Sequence, residues 1–507
     1  MKMKKSLLSV AVAAGVAASA QAQMYLNPEG TGEVLLYPVY TVENGNVTAM
    51  HIVNTTGDAK AVKVRFLEGK NSKEVLDFNL YLSPYDHFAF GTVLTADGLA
   101  AVTTTDNSCT VPELGTANGA YSGTKVVDGD VTIRTQPFVN YAYLADADAT
   151  DARAWMGHVE VIEMGIIDGN ATSIAGSDPD QTDANLGAAK AVLAGLTHGE
   201  DGVPADCAVV RAQWATGGYW KSDPSNPAKG AQFGMNNATG GLYGFGYVLN
   251  VADAAAFGFD AEAIASFQDQ NAASLHTSPG SLQPSLGSGV TSAHNVDLTG
   301  AAPAYATVTW PGKVQAVSSL FMTASISNDV IVDPIVAAET DWVITFPTKN
   351  PHTNGATAPI LPFTSKYTGK PEKLACETVE VNEWSREEVF TPIVEEGFSP
   401  LPPGQQSTKP SLCYETQVVS WNGMSALNVR SSTDKGYRYD IDFDYDNGWA
   451  RIDFDTSMNY MAGSNLTLGG LPVIGFAATK YSNGDRSYGH STEHKTEVTG
   501  STVAATP

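Results

Sequence analysis

The chain has 507 residues, 43% of them hydrophobic, and a formal net charge of −25. That apolar content excludes bulk disorder, and the negative field excludes nucleic-acid phosphate as a partner. Beyond residue 22 no apolar run reaches membrane-spanning length, so no transmembrane helix is expected.

Lys2, Lys4 and Lys5 precede an apolar run over residues 7–18, and Ala20-Gln21-Ala22 has the small-residue pattern of a cleavage site. Residues 1–22 therefore read as a secretory signal peptide, which places the remainder in the periplasm or at the cell surface and outside it. Removing three lysines makes the exported chain more acidic still.

From residue 32 to 95 strands alternate with turns. Val34-Leu35-Leu36-Tyr37 and residues 47–53 flank Glu43-Asn44-Gly45-Asn46, whose Asn-Gly pair signals a hairpin. Val62, Val64 and Phe66 alternate with Lys63 and Arg65, and Leu76, Phe78 and Leu80 repeat that period. Strands at about ten-residue spacing predict an immunoglobulin-like β-sandwich. Arg65, Glu68, Lys70 and Asp77 then read as the exposed face of two strands, with a buried or interface ion network as the alternative.

Between 96 and 310 Thr, Gly, Asp and Ala dominate. Residues 158–164 read as a strand, 183–197 and 260–269 as helices, and 270–305 as an exposed loop. From 306 the β texture returns. Val343-Ile344-Thr345-Phe346 is a strand closed by Pro347, and residues 391–411 form a Pro-rich connection. Tyr437, Tyr439, Ile441, Phe443 and Tyr445 share one face of a strand, and Asn447-Gly448 turns it towards Ala450, Ile452 and Phe454, which predicts a hairpin. The chain divides on this reading into a signal peptide (1–22), an N-terminal sandwich part (23–95), a loop-rich α+β insertion with short helices (96–310), a C-terminal β domain (311–480) and a flexible tail (481–507). The fold class is mainly β.

Four cysteines remain after the signal, and an even count in an oxidising compartment predicts two disulfides. Of three connectivities, Cys109–Cys207 with Cys376–Cys413 keeps each bridge within one half of the chain. No CxxC or Cys/His cluster points to metal.

Candidate chemistry is sparse. Asp440, Asp442, Asp444 and Asp446 fall two residues apart on one strand face, where carboxylates repel unless solvated, paired or bridged by a cation such as Ca²⁺. Counted from Asp442, the glycine and the twelfth position do not match an EF-hand loop. Asp146, Asp148 and Asp151, with Asp178, Asp180 and Asp183, form two further acidic clusters open to the same two readings. No GxSxG elbow, P-loop or HExxH motif occurs, and the glycines of residues 240–247 have the wrong spacing for a dinucleotide fingerprint. Trp214, Tyr219, Trp220, Phe233, Tyr243, Phe245 and Tyr247 crowd a Gly-rich region. Trp214, Trp220 and Tyr243 are the residues expected to stack on sugars or a protein partner if the cluster is exposed, core packing being the alternative.

GEVLLYPVYTV near residue 32, VKVRFLEGKNSKEVLDFNLYLSPYD at 62–86, GHVEVIEMG at 157–165 and TDWVITFPTK at 340–349 together resemble a family of exported proteins of Gram-negative bacteria without an established activity. The resemblance implies secretion and a β-rich start and supplies no catalytic residues. The expected function is structural or adhesive, by protein–protein self-association or contact with cell-surface partners, with Ca²⁺ as a candidate aid. Glycan binding and polymer hydrolysis are the other classes.

Overall fold

The computed structural model describes residues 23–168, 183–225, 229–297, 304–355, 358–369, 374–392, 410–434, 436–454, 458–484 and 486–502. The expected signal peptide, Asp178, Asp180 and most of the Pro-rich connection lie outside the described residues, as does the side chain of Asp183. The described chain is mainly β, with several almost wholly antiparallel sheets and four α-helices among the described residues.

Two large sheets make the first sandwich. In the eight-stranded sheet the spatial order is Tyr25–Leu26, Glu262–Ala265, Val34–Thr41, Met156–Ile167, Lys60–Glu68, Glu74–Leu82 and Cys109–Val111, with Met235–Asn236 beside Met156–Ile167. The seven-stranded sheet runs Thr124–Asp128, Val131–Pro137, Ala100–Thr104, His87–Leu94, Asn46–Asn54, Leu242–Asn250, Ala255–Asp260. Tyr37, Val62, Val64, Phe66 and Phe78 of the first sheet meet Met50, Ile52, Phe88, Phe90 and Val248 of the second in one core. The strands of residues 23–95 therefore complete their sheets with strands from the middle of the chain.

Several expectations are corrected by long-range pairing. Val34–Thr41 lies between Glu262–Ala265 and Met156–Ile167, so both its edges are taken. Asn46–Asn54 accordingly crosses to the other sheet, and the Asn44-Gly45 turn, both residues at positive φ, joins two sheets instead of a hairpin. The helix expected at 260–269 is the strand Glu262–Ala265, because Val34–Leu36 and Tyr25–Leu26 satisfy its backbone while Ile264 and Phe267 enter a core. The helix expected at 183–197 is present as Asp183–Leu196. Residues 270–305 are not simply an exposed loop. They bury Ser274, His276, Leu286 and Asn295, and Ser292–Asp297 pairs with Ala304–Thr309.

The second sandwich follows the same logic. Trp342, Ile344, Val419 and Trp421 from a five-stranded sheet pack on Ile326, Val381, Ala450, Ile452 and Phe454 from a six-stranded one. The hairpin expected at 437–455 does not form. Arg438–Ile441 runs parallel to Thr416–Trp421, whereas Asn447–Phe454 joins Ser325–Ile331 and Glu377–Ser385 in the other sheet. Ile441 and Phe443 thereby face Ala450, Ile452 and Phe454 across the core, which buries more apolar surface than lying edge to edge. The tail expected to be loose instead supplies Arg486–Glu493, Lys495–Glu497 and Gly500–Thr502 to three sheets.

The charged residues on the N-terminal strands are buried, not exposed. Lys63 pairs with Asp77 at 2.8 Å, and Arg65 with Glu74 and Glu160 at 2.7 and 2.5 Å. Residues 277–280 cover this face, Thr277 accepting from Asn79 and Gly280 donating to Asp77.

A denser network joins the two sandwiches. Arg153, 2% exposed, places its Nε and Nη2 on the two oxygens of Glu68, both at 2.9 Å. Its Nη1 reaches Asp146 and the Asp148 carbonyl, and Nη2 also reaches Tyr367 from the C-terminal half. Glu68 accepts further bonds from the backbone N–H groups of Lys70, Asn71 and Lys73. Beside it Gly69 lets the halves touch, since a Cβ there would stand 2.8 Å from the Tyr437 ring and 3.0 Å from the Thr416 carbonyl. Val343, Val418, Leu427 and Phe476 extend the first core across the same boundary.

Candidate functional site

The structure forms the bridges Cys109–Cys207 and Cys376–Cys413. The first ties the edge strand Cys109–Val111 to the helix Cys207–Trp214, which carries Trp214 into the interior. Trp220 is 3% exposed and stacks on Tyr81 at 5.3 Å, while Trp214 donates to the Tyr81 hydroxyl at 2.8 Å. Trp220 is thus buried and Trp214 half-buried against Tyr81, Trp220 and His276, so the pair packs into the interior instead of standing out as the expected binding platform. Tyr81 in turn bonds Nε2 of His276, whose Nδ1 donates to the Ala231 carbonyl. The imidazole is pushed down to about 4, chiefly by burial, with the Ala231 bond opposing. A base with a native pKa below its unfolded value near 6.5 stabilises the fold fully above that value and loses the contribution as pH falls towards about 4. Stability to urea should therefore fall between about pH 6.5 and 4, and fall less in His276→Gln. An equal loss of stability across that range in both proteins would refute the assignment.

Among the described residues the acidic clusters do not converge. Asp440, Asp442, Asp444 and Asp446 are all exposed, Asp440 pairing with Arg438 at 2.9 Å. Asp146 and Asp148 are committed to Arg153 and Lys70, and Asp151 accepts from Tyr121 and Asn140. Among the described residues no three His, Cys, Asp or Glu side chains group so as to hold a metal ion.

Tyr243 has a different setting from the two tryptophans. Along Leu242–Asn250 every second side chain is buried, so Tyr243, Phe245, Tyr247 and Leu249 stand on the outer face of the seven-stranded sheet. Register places Val53, His51, Ala49 and Val47 opposite them, and His87, Ala89, Gly91 and Val93 follow on the next strand. None of these twelve positions is Lys, Arg, Asp or Glu. The rings form a row. His51 stacks on Phe245 at 4.5 Å and on His87 at 5.1 Å, and Tyr243 lies parallel to Phe245 at 6.3 Å. His51 Nδ1 and His87 Nε2 are 2.9 Å apart, a hydrogen bond that needs one ring nitrogen unprotonated. Partial burial and the neighbouring His87 hold the His51 imidazole below its ordinary value. Because these rings cover one another's faces, they make an apolar ridge instead of open plates for sugar stacking.

Sequence reasoning found the aromatic half of this face and missed His51 and His87. The available signal was the total absence of charge at both parities of residues 46–54 and 242–250. A strand with one wet face rarely lacks charge on it. No protein-family model matches this chain, and no curated protein or solved structure matches it either.

Proposed function

We propose that this is an exported, non-enzymatic structural or adhesive protein, built from immunoglobulin-like sandwiches, that assembles with further copies of itself through the outer face of the seven-stranded sheet. The observation that carries the reading is the run of twelve uncharged outward positions on three adjacent strands, bounded by Asp260 opposite Phe245, on a chain of net charge −25. Two such acidic surfaces repel, so close approach is cheapest where no charge must be desolvated. A second copy fits this requirement by symmetry, the same flat face meeting itself about a two-fold axis.

Strands lie about 4.8 Å apart and rise about 3.4 Å per residue, so the three strands that bear these twelve positions span about 350 Å². Both faces together reach about 700 Å², the size of a weak, reversible contact. The stacked rings supply the aromatic anchors such interfaces use.

Sedimentation equilibrium of the chain from residue 23 onward tests the proposal. We expect reversible self-association that tightens with salt, because the Debye length falls from about 10 Å at 0.1 M to about 3 Å at 1 M. Ala49→Lys with Phe245→Glu should leave the circular dichroism unchanged and weaken association at least ten-fold. A wild-type monomer, or an oligomer indifferent to both substitutions, would refute the reading.

A further inference from the structure

Where the edge strand Tyr25–Leu26 and its neighbour Glu262–Ala265 in the first sandwich face residues 319–326 and 468–498, the chain forms an open cleft of about 590 Å³. Its walls are mainly apolar, with Leu26, Leu320, Met322, Ile326, Val473 and Val498 among them. At one end it meets a second cleft of about 560 Å³, and the two share Glu262 and Glu493. Neither carboxylate has an ion-pair partner among the described residues. They also act on each other. Glu262 is pushed up to about 6, by burial first and then by Glu493 and Asp260.

This largely apolar cleft carries two exposed carboxylates on its lining, neither of them in an ion pair among the described residues. The cleft lies within the roughly 300–1,000 Å³ range of small-molecule sites, where apolar walls give affinity and a few polar groups set orientation. A cation beside Glu262 and Glu493 relieves their mutual repulsion. An anionic headgroup meets the reverse.

We propose that this cleft binds an apolar molecule bearing a single cationic headgroup, a long-chain amine or quaternary ammonium compound, with its tail along the apolar walls and its cation beside Glu262 and Glu493. The headgroup end adjoins the sheet face, since Glu262 and Glu493 share the second cleft with Phe245 and Tyr247, whereas neither ring lines the apolar cleft that takes the tail.

Isothermal titration of the intact chain distinguishes headgroups directly. The probes are dodecyltrimethylammonium, dodecyl maltoside and dodecyl sulfate, each below its micellar concentration. Saturable one-to-one binding of the cation is expected, at least ten-fold tighter than the neutral probe and tighter again than the anion. Glu262→Gln with Glu493→Gln should remove that ten-fold preference and leave the neutral probe unaffected. Val498→Trp, which intrudes on the apolar wall, should weaken the dodecyl cation several-fold more than its hexyl counterpart. Unsaturable binding, equal affinity for the three headgroups, or a preference that survives the double Gln variant would overturn the proposal. Unchanged thermal melting of the variants separates loss of the site from loss of the fold.

Discussion

Replacing Arg153 by Met is expected to destabilise the protein by about 3–5 kcal/mol, the cost of stranding one member of a buried ion pair. All five guanidinium N–H groups have acceptors, and the two-pronged contact to Glu68 is fully buried. Burial alone would push this guanidinium down, and the charge and hydrogen bonds of Glu68 outweigh it. Methionine preserves much of the stem and removes the charge. Glu68 would remain among three backbone donors with no cation beside it. Urea denaturation with an unchanged slope reads the loss directly. Adding Glu68→Gln removes the stranded charge, so the double variant should recover a substantial part of the stability. If the double variant is no better than Arg153→Met, the damage comes from lost packing and the electrostatic account fails.

The second large effect is expected at Cys109–Cys207. The bridge closes 98 residues, against 37 for Cys376–Cys413. In the chain-entropy account the longer loop contributes about 4.7 kcal/mol and the shorter about 1 kcal/mol less. Cys109→Ser with Cys207→Ser should therefore cost more than Cys376→Ser with Cys413→Ser. It should also have a local signature. The helix Cys207–Trp214 loses its tether to the sheet, so limited proteolysis should open new sites near residues 207–220 while the rest of the chain stays resistant. Equal stability losses for the two pairs, with no new cleavage, would rule out this account.

Much of the secondary structure was legible because it is written locally. The alternation of Val62, Val64 and Phe66 marks a strand wherever that strand ends up, and Asp183–Leu196 is helical as expected. Partner choice was not legible. Asn447-Gly448 favours a hairpin, yet the core gained by placing Phe443 opposite Ile452 outweighs a two-residue turn preference. Burial misled in the same way. Lys63 and Arg65 read as a wet face because charge is usually solvated, and the residues that cover them lie more than two hundred positions later. The sites suffer most. His51 meets Phe245, and Glu262 meets Glu493, only after the whole chain has folded.

The strands contributed by residues 486–502 impose an order of events. Lys495–Glu497 pairs with Ser325–Ile331, and Gly500–Thr502 pairs with Leu466–Gly469. A chain emerging in sequence leaves the edge of Ser325–Ile331 open until those late residues arrive, a template for pairing with other molecules meanwhile. Such distant contacts close slowly and expose intermediates to aggregation. A holding chaperone is therefore most valuable to this chain in the interval before its last strands dock.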